Sequence, residues 1–521
     1  MSDHPTLPEH LRRLASSHSE GPALVDGHDA VSFTDLAAQI DRTADALSRT
    51  GLARGDRVAL ALQPSAAYAV LILAALAGGY VPITLNTRLT ASETVRFLEP
   101  LDAQVVLTDV VHESLAGQLG LPVILLASTY ADSIRERMAP LGGGDHPTVS
   151  PVEPDSPALI LPTGGTSGTP KGVWFDHAAL WRVVASAALN LPRQPEDLDL
   201  YFAPFFHIMF PAQLLPPVFM GGATEILTEF DPGLALESIG RGASRFGGVP
   251  TLMRRLRQHP AFGDTRRDHV SRVLFGAAPA TTEFIEELLE DYPNASVTSL
   301  YGATEYGGTV CTITHGDLVA GELEGVGRPR PGQSVRILSE TGQACAPGEI
   351  GYFSVRSIGQ ANGYWGRPEE TADVFRSTGM RVGDMGWYDH SGRFYIIGRD
   401  SEMIVTGGEN VFPSEVEPAI AAHPAVREVL VYGVPDDDWG HRVEALVVPV
   451  AGESPRSEEL RSFLADRVAG YKRPKAVHLV DAIPMTANNK PDRKSAQRVS
   501  ERLRSSETLR TSERPRSSEG P

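Results

Sequence analysis

A chain of 521 residues is long for one domain and comfortable for two or three. Its 65 Asp and Glu against 47 Lys and Arg give a formal net charge of −18, which argues against a general nucleic-acid binder, since that function needs a basic footprint. Two cysteines, Cys311 and Cys345, are too few for a disulfide framework and neither sits in a ligand pattern, so a reducing cytoplasm is the expected location. The start, "MSDHPTLPEHLRR", lacks the basic-then-apolar layout of a secretory signal.

In chain order, "TDLAAQIDRTADALSRTG" predicts a helix capped by Thr34, with Leu36, Ile40, Ala44 and Leu47 on one face and Gly51 as its stop. "DRVALAL" predicts a strand. The long apolar run "AAYAVLILAALAGGYVPITL" is broken by Gly78-Gly79 and followed by Pro82. A buried helix, a glycine stop and a buried strand therefore fit it better than a membrane span, which needs about 20 uninterrupted apolar residues. "TASETVRFLEPL" predicts a capped helix and "AQVVLTD" a further strand.

This alternation predicts a layered α/β domain with parallel-rich sheets, and it resumes between residues 180 and 300. From about Gly325 the texture changes to short β-like runs, ending at "GRFYIIGRD". A compact α/β stretch follows, with "SEVEPAIAAHP", "VREVLVYGVP", "VEALVVPV", "SEELRSFLADRVAG" and "AVHLVD". The expected organisation is a large N-terminal domain over 1–399, a hinge at 400–402 and a small mobile α/β domain over 403–497. Residues 498–521, rich in Ser, Arg and Glu, are expected to be disordered because they have too little apolar surface to offset ordering entropy.

Residues 162–172 read "PTGGTSGTPKG", between the strand-like runs "ALIL" and "GVWF". Such a loop offers backbone N–H groups, hydroxyls and one cation, the chemistry of a polyphosphate cradle. It is not a P-loop, because Pro170 precedes Lys171 and Gly172 follows it. On composition alone, a flexible surface loop is an equal reading.

The order of residues resembles the signature of the adenylate-forming superfamily: acyl-CoA synthetases, peptide-synthetase adenylation domains and firefly-type luciferases. Thr163, Gly164, Gly165, Thr166, Ser167, Gly168, Thr169, Pro170, Lys171 and Gly172 follow that pattern, with Gly164 in place of Ser and Ser167 in place of Thr. "PFFHIMF", "GAAPA", "YGATEYG", "VGDMGWYDHSGRFYIIGRD", "GGENVFPSEVE" and "PMTANNKPDRK" match further family segments in order, over about residues 10 to 497.

What the resemblance implies is ATP-dependent activation of a carboxylic acid to acyl-AMP, then transfer to the CoA thiol. Thr163 to Gly168 and Lys171 would hold phosphates. Gly276, Ala277, Ala278, Tyr301 and Gly302 would border adenine. Thr304 would donate to the α-phosphate, and Glu305 with Thr166 would hold Mg2+. Asp384 and Arg399 would bind ribose. Lys490 would bridge carboxylate and α-phosphate, and Asn489 before it replaces the family's glycine. His207, with Met209, Phe246, Gly276, Gly302, Gly307 and Gly308, would line the acid pocket. Ser401 stands at the hinge, where the family has Asp or Lys. Gly407, Gly408 and Glu409 would face a CoA tunnel.

None of these pocket positions is a cation for a second carboxylate or an acid for an α-amine, so an aliphatic or aromatic acid is expected rather than an amino acid. Two rivals stay open at this point. One is the same adenylation with a carrier-protein thiol, an amine or an unusual acid. The other is a nucleotide-binding regulator that has lost its chemistry.

Overall fold

The computed structural model describes residues 6–18, 21–27, 29–126, 151–163, 170–194, 196–436, 438–485 and 491–512, with side chains through 503. The chain divides into two compact units. The first comprises Met1–Glu349, Phe353–Val382 and Tyr388–Tyr395, and the second Ile350–Tyr352, Gly383–Trp387 and Ile396–Pro521. The division thus falls a few residues ahead of 399. Asp384 goes with the second unit, because its strand pairs there, with Gly351 opposite Gly386 and Tyr352 opposite Met385.

Two sheets organise the first unit. In one, Arg57–Ala61 lies between Val81–Thr84 and Ala103–Thr108, all in parallel. Pro157–Thr163 joins in parallel beside Val81–Thr84, and Lys171–Asp176 returns antiparallel beside it. The other sheet has a parallel centre, Pro22–Asp26, Ala223–Ile226, Leu198–Tyr201, Arg245–Gly248, Arg272–Gly276 and Ser296–Ala303 in that spatial order. Antiparallel strands close both of its edges. The mixed α/β class with parallel-rich sheets is therefore the one expected from the alternation of helices and strands.

The apolar run forms a helix, Ala66–Gly78, buried on every face through Ala77, and it ends at left-handed Gly79 before the buried strand Val81–Thr84. Among the described residues no helix is long and apolar enough to cross a membrane. The helix Phe33–Ser48 buries Leu36, Ile40, Ala44 and Leu47 as their spacing requires. Its cap is Ser32, whose Oγ accepts from Asp35 N–H, and not Thr34. Ser32 has the extended backbone a cap needs, while Thr34 is already inside the helix.

In the second unit, Gly440–Pro449 pairs antiparallel with Val426–Asp436 and parallel with Ala476–Leu479. The tail departs from expectation: Arg493–Ser512 is a helix. Ala496 and Ser500 are fully buried and Val499 packs on the cluster of Leu430, Tyr432, Val434 and Leu446. Arg493 donates to Glu417 at 2.8 Å and to the Val431 carbonyl at 3.1 Å. Three small or apolar residues at helical spacing suffice to dock one face, even where the average composition is polar. Truncation of 493–521 is therefore expected to lower the melting temperature of this unit by about 5 °C or more. Calorimetry on the truncated chain reads this, and an unchanged transition would mean the helix adds no stability.

Candidate active site

Thr163 closes the strand Pro157–Thr163 and pairs with Lys171, which opens Lys171–Asp176, so the two ends of the glycine-rich loop are held side by side. Gly164, Gly165, Thr166, Ser167 and Gly168 lie outside the described residues, as does Lys490. The Lys171 ammonium is 2.6 Å from a Glu370 carboxylate oxygen and 4.7 Å from the centre of the Tyr364 ring. Hydrogen bonding from Lys171, then from Arg367, holds the Glu370 carboxyl below its ordinary range.

The strands Ser296–Ala303 and Gly308–Ile313 form a hairpin whose turn carries Thr304 and Glu305. The turn is closed by Gly307 N–H donating to the Thr304 carbonyl at 3.0 Å. Gly307 has φ of 76°, and a Cβ there would lie 1.9 Å from the Gly359 carbonyl oxygen, so no other residue fits. Glu305 is buried and accepts a 2.7 Å hydrogen bond from the Tyr364 hydroxyl. Burial, then the Glu305 charge, pushes the Tyr364 phenol upward, so it stays a donor.

One tyrosine therefore joins the cation of the glycine-rich segment to the carboxylate of the "YGATEYG" turn, across more than a hundred residues of sequence. Tyr364 reaches it because Gly363–Tyr364 adds as an edge strand beside Lys171–Asp176. Neither Tyr364 nor Glu370 belongs to a motif read from the sequence. If this centre holds Mg·ATP, as the resemblance implies, Tyr364→Phe is expected to raise the KM for it about 3- to 10-fold, since the Glu305 carboxylate stays and only the hydrogen bond that orients it is lost. An unchanged KM in steady-state kinetics would remove Tyr364 from the site.

In the same unit, Gly276 ends the strand Arg272–Gly276, and Ala277 follows with φ of 62°, a left-handed conformation uncommon for a residue with a Cβ. Ala278 is exposed. The Tyr301 ring stands edge-on to Phe353, centroids 5.7 Å apart. His207 accepts from Met209 N–H at 3.3 Å through Nδ1, which places the proton of the neutral ring on Nε2.

A cavity of about 20 Å3 lies in the same unit, and Met209 and Gly307 line it. Gly276, Gly302, Gly308 and His207 are not among its lining residues. Phe246 is not either: it is buried on the opposite face of the strand Arg245–Gly248, with its ring against Tyr292. Strand residues alternate faces, and it is Gly247 that lies beside the lining residue Gln213. Arg330 and Gln333 also line this cavity, and Arg330 is its one charged lining residue.

The second unit carries Asp384, buried, with Arg399 Nε donating to it at 3.0 Å. Ser401 lies in the 3-10 turn Asp400–Glu402, where its N–H donates to Asp400 at 2.7 Å. Gly407 and Gly408, both at positive φ, form the two-residue turn between Ile404–Thr406 and Glu409–Val411, the geometry that only glycine-like residues adopt easily. Gly407 N–H donates to the Trp439 carbonyl at 2.9 Å. Burial pushes the Cys311 thiol up to about 12, so it is protonated and no nucleophile at neutral pH. Among the described residues no group of three or more His, Cys, Asp or Glu could hold a metal ion by itself.

Comparison with known proteins fits this arrangement. The AMP-binding enzyme profile matches residues 11–365, and the AMP-binding enzyme C-terminal domain matches residues 415–490. A feruloyl-CoA synthase from Amycolatopsis is 30% identical over 92% of this chain and 96% of its own. A 2-succinylbenzoate–CoA ligase from Geobacillus kaustophilus is 32% identical over 95% and 98%. An o-succinylbenzoate coenzyme A synthetase from Bacillus subtilis, solved in complex with ATP and magnesium ion, superposes with a TM-score of 0.82 at 27% identity over 93% of this chain and 98% of that one. With both family domains matched in order over most of its length, the chain belongs to the AMP-binding enzymes, the adenylate-forming family.

Proposed function

We propose that the protein ligates a carboxylic acid to CoA in two half-reactions, with Mg·ATP as the activating substrate. A carboxylate oxygen attacks the α-phosphorus of ATP, the bond to the pyrophosphate oxygen breaks, and acyl-AMP forms. The CoA sulfur then attacks the acyl carbonyl, AMP leaves with the carboxylate oxygen it gained, and the thiol proton passes to solvent or base. Activation is needed because a carboxylate has no usable leaving group, whereas an acyl-adenylate has AMP.

The observation that carries this reading is the junction of Lys171, Tyr364 and Glu305. A cation at the mouth of a glycine-rich loop neutralises phosphate charge. A buried carboxylate held by a tyrosine hydroxyl offers a fixed oxygen for the magnesium that travels with ATP, and one carboxylate plus phosphate oxygens suits that ion. Thr304, on the same turn, donates to the α-phosphate in this reading. In the second unit, Asp384 has acceptor capacity for the ribose hydroxyls and is oriented by Arg399. Lys490 supplies the charge that the attack on phosphorus develops against. The Ser401 turn serves as the hinge, and Gly407, Gly408 and Glu409 approach the pantetheine arm in the second half-reaction.

The relatives' names point to different acids, ferulic and 2-succinylbenzoic, so the identity of the acid rests on this chain's own pocket. Pyrophosphate release measured with a panel of acids, with and without CoA, tests the reading. Release that depends on acid, with thioester formed only when CoA is added, is the expected result. Acid-dependent release with no thioester would point to another acceptor, and no release with any acid would sink the enzyme reading.

A further inference from the structure

Arg330 is 7% exposed, and its Nη2 is fully buried with no hydrogen-bond partner among the described residues. The side-chain carbonyl of Gln333, three residues on, is likewise buried without a partner. Both residues line the same cavity as Met209 and Gly307. No lining residue is acidic, and no described carboxylate pairs with the guanidinium. Burial lowers the Arg330 pKa to about 10, and the charge it feels most is another cation, Arg272. The group nevertheless stays charged at neutral pH.

A buried guanidinium that faces a cavity with no counter-charge is a costly arrangement unless something fills it. The other buried arginines of this unit show the usual solution. Arg245 lies 3.2 Å from Asp199 and 3.4 Å from Asp197, and Arg193 lies 3.5 Å from Asp199. Arg330 instead lines the cavity, and its buried Nη2 has no partner among the described residues. A long alkyl chain would strip water from the guanidinium and return nothing. A carboxylate restores the ion pair, and the space is that of a small group, with Val183, Ala187, Met209 and Leu274 providing apolar walls for the carbons between.

We propose that the acid ligated here is a dicarboxylic acid: one carboxylate is activated and the other is bound by Arg330. This rests on the acid–CoA ligase reading and names its substrate class. The reacting carboxylate is needed at the α-phosphate, and an oxygen held by a buried guanidinium would be a weak nucleophile, so the group at Arg330 is a second one.

The test uses the full chain and measures pyrophosphate release with a series of linear and aromatic dicarboxylic acids, each against its own monomethyl ester. The ester keeps the shape and the reacting carboxylate but removes the distal charge. For the best diacid, kcat/KM is expected to exceed that of its half-ester by about 10- to 100-fold, the worth of charge-assisted hydrogen bonds in a buried site. Arg330→Met should collapse that ratio toward one, and Arg330→Gln serves where the Met variant does not fold. Release with monocarboxylic acids but no preference for any diacid over its half-ester would overturn this proposal and leave the ligase reading standing. A ratio that survives in a folded Arg330 variant would also overturn it. No release with any acid would sink both.

Discussion

Lys490→Ala is expected to slow pyrophosphate release from ATP and acid by about 10²–10³-fold, while leaving thioester formation from presynthesised acyl-AMP and CoA near the wild-type rate. The lysine sits in "PMTANNK", within the matched C-terminal family domain. In the proposed reaction its ammonium would balance charge that builds between carboxylate and α-phosphate only in the first half-reaction. One lysine on a small domain cannot serve both steps if that domain turns between them. Single-turnover assays of the two half-reactions separate the possibilities. Equal loss in both would make Lys490 structural, and equal retention would remove it from the mechanism.

Asp384→Ala is expected to raise the KM for ATP about 10- to 100-fold without changing which acid is preferred, because a buried charged acceptor costs about 1–3 kcal/mol to remove. The carboxylate is 6% exposed and accepts from Arg399 Nε at 3.0 Å, which fixes its orientation. Asp384→Asn keeps an acceptor without the charge and should fall between the two. An altered acid profile with unchanged ATP affinity would place Asp384 elsewhere in the mechanism.

The elements in chain order were legible because each carries its own period. Leu36, Ile40, Ala44 and Leu47 recur at helical spacing, and the run through Ala66–Gly78 is apolar all round because it is buried all round. The C-terminal helix was not legible, since composition averaged over the tail hides the stripe of Ala496, Val499 and Ser500 that docks it. Motif order pointed to Lys171, Thr304 and Glu305 in the first unit and, separately, to Asp384 in the second.

Tyr364, Glu370 and Arg330 were invisible for one reason. Each reaches its place through a strand or loop distant in sequence, and nothing local distinguishes it. Arg330 stands between two prolines in "GRPRPG", a context that reads as a surface turn, and only the fold puts it inside. For Phe246 the sequence could not say which face of its strand the ring takes, and it packs against Tyr292.

In the proposed reaction a carboxylate oxygen attacks the α-phosphorus of ATP. Mass spectrometry of the AMP formed from 18O-carboxyl-labelled acid, ATP and CoA tests it most directly. If acyl-AMP is the intermediate, AMP gains one labelled oxygen per turnover and pyrophosphate gains none. Label in a phosphate other than that of AMP, or unlabelled AMP from a turning-over enzyme, would contradict it.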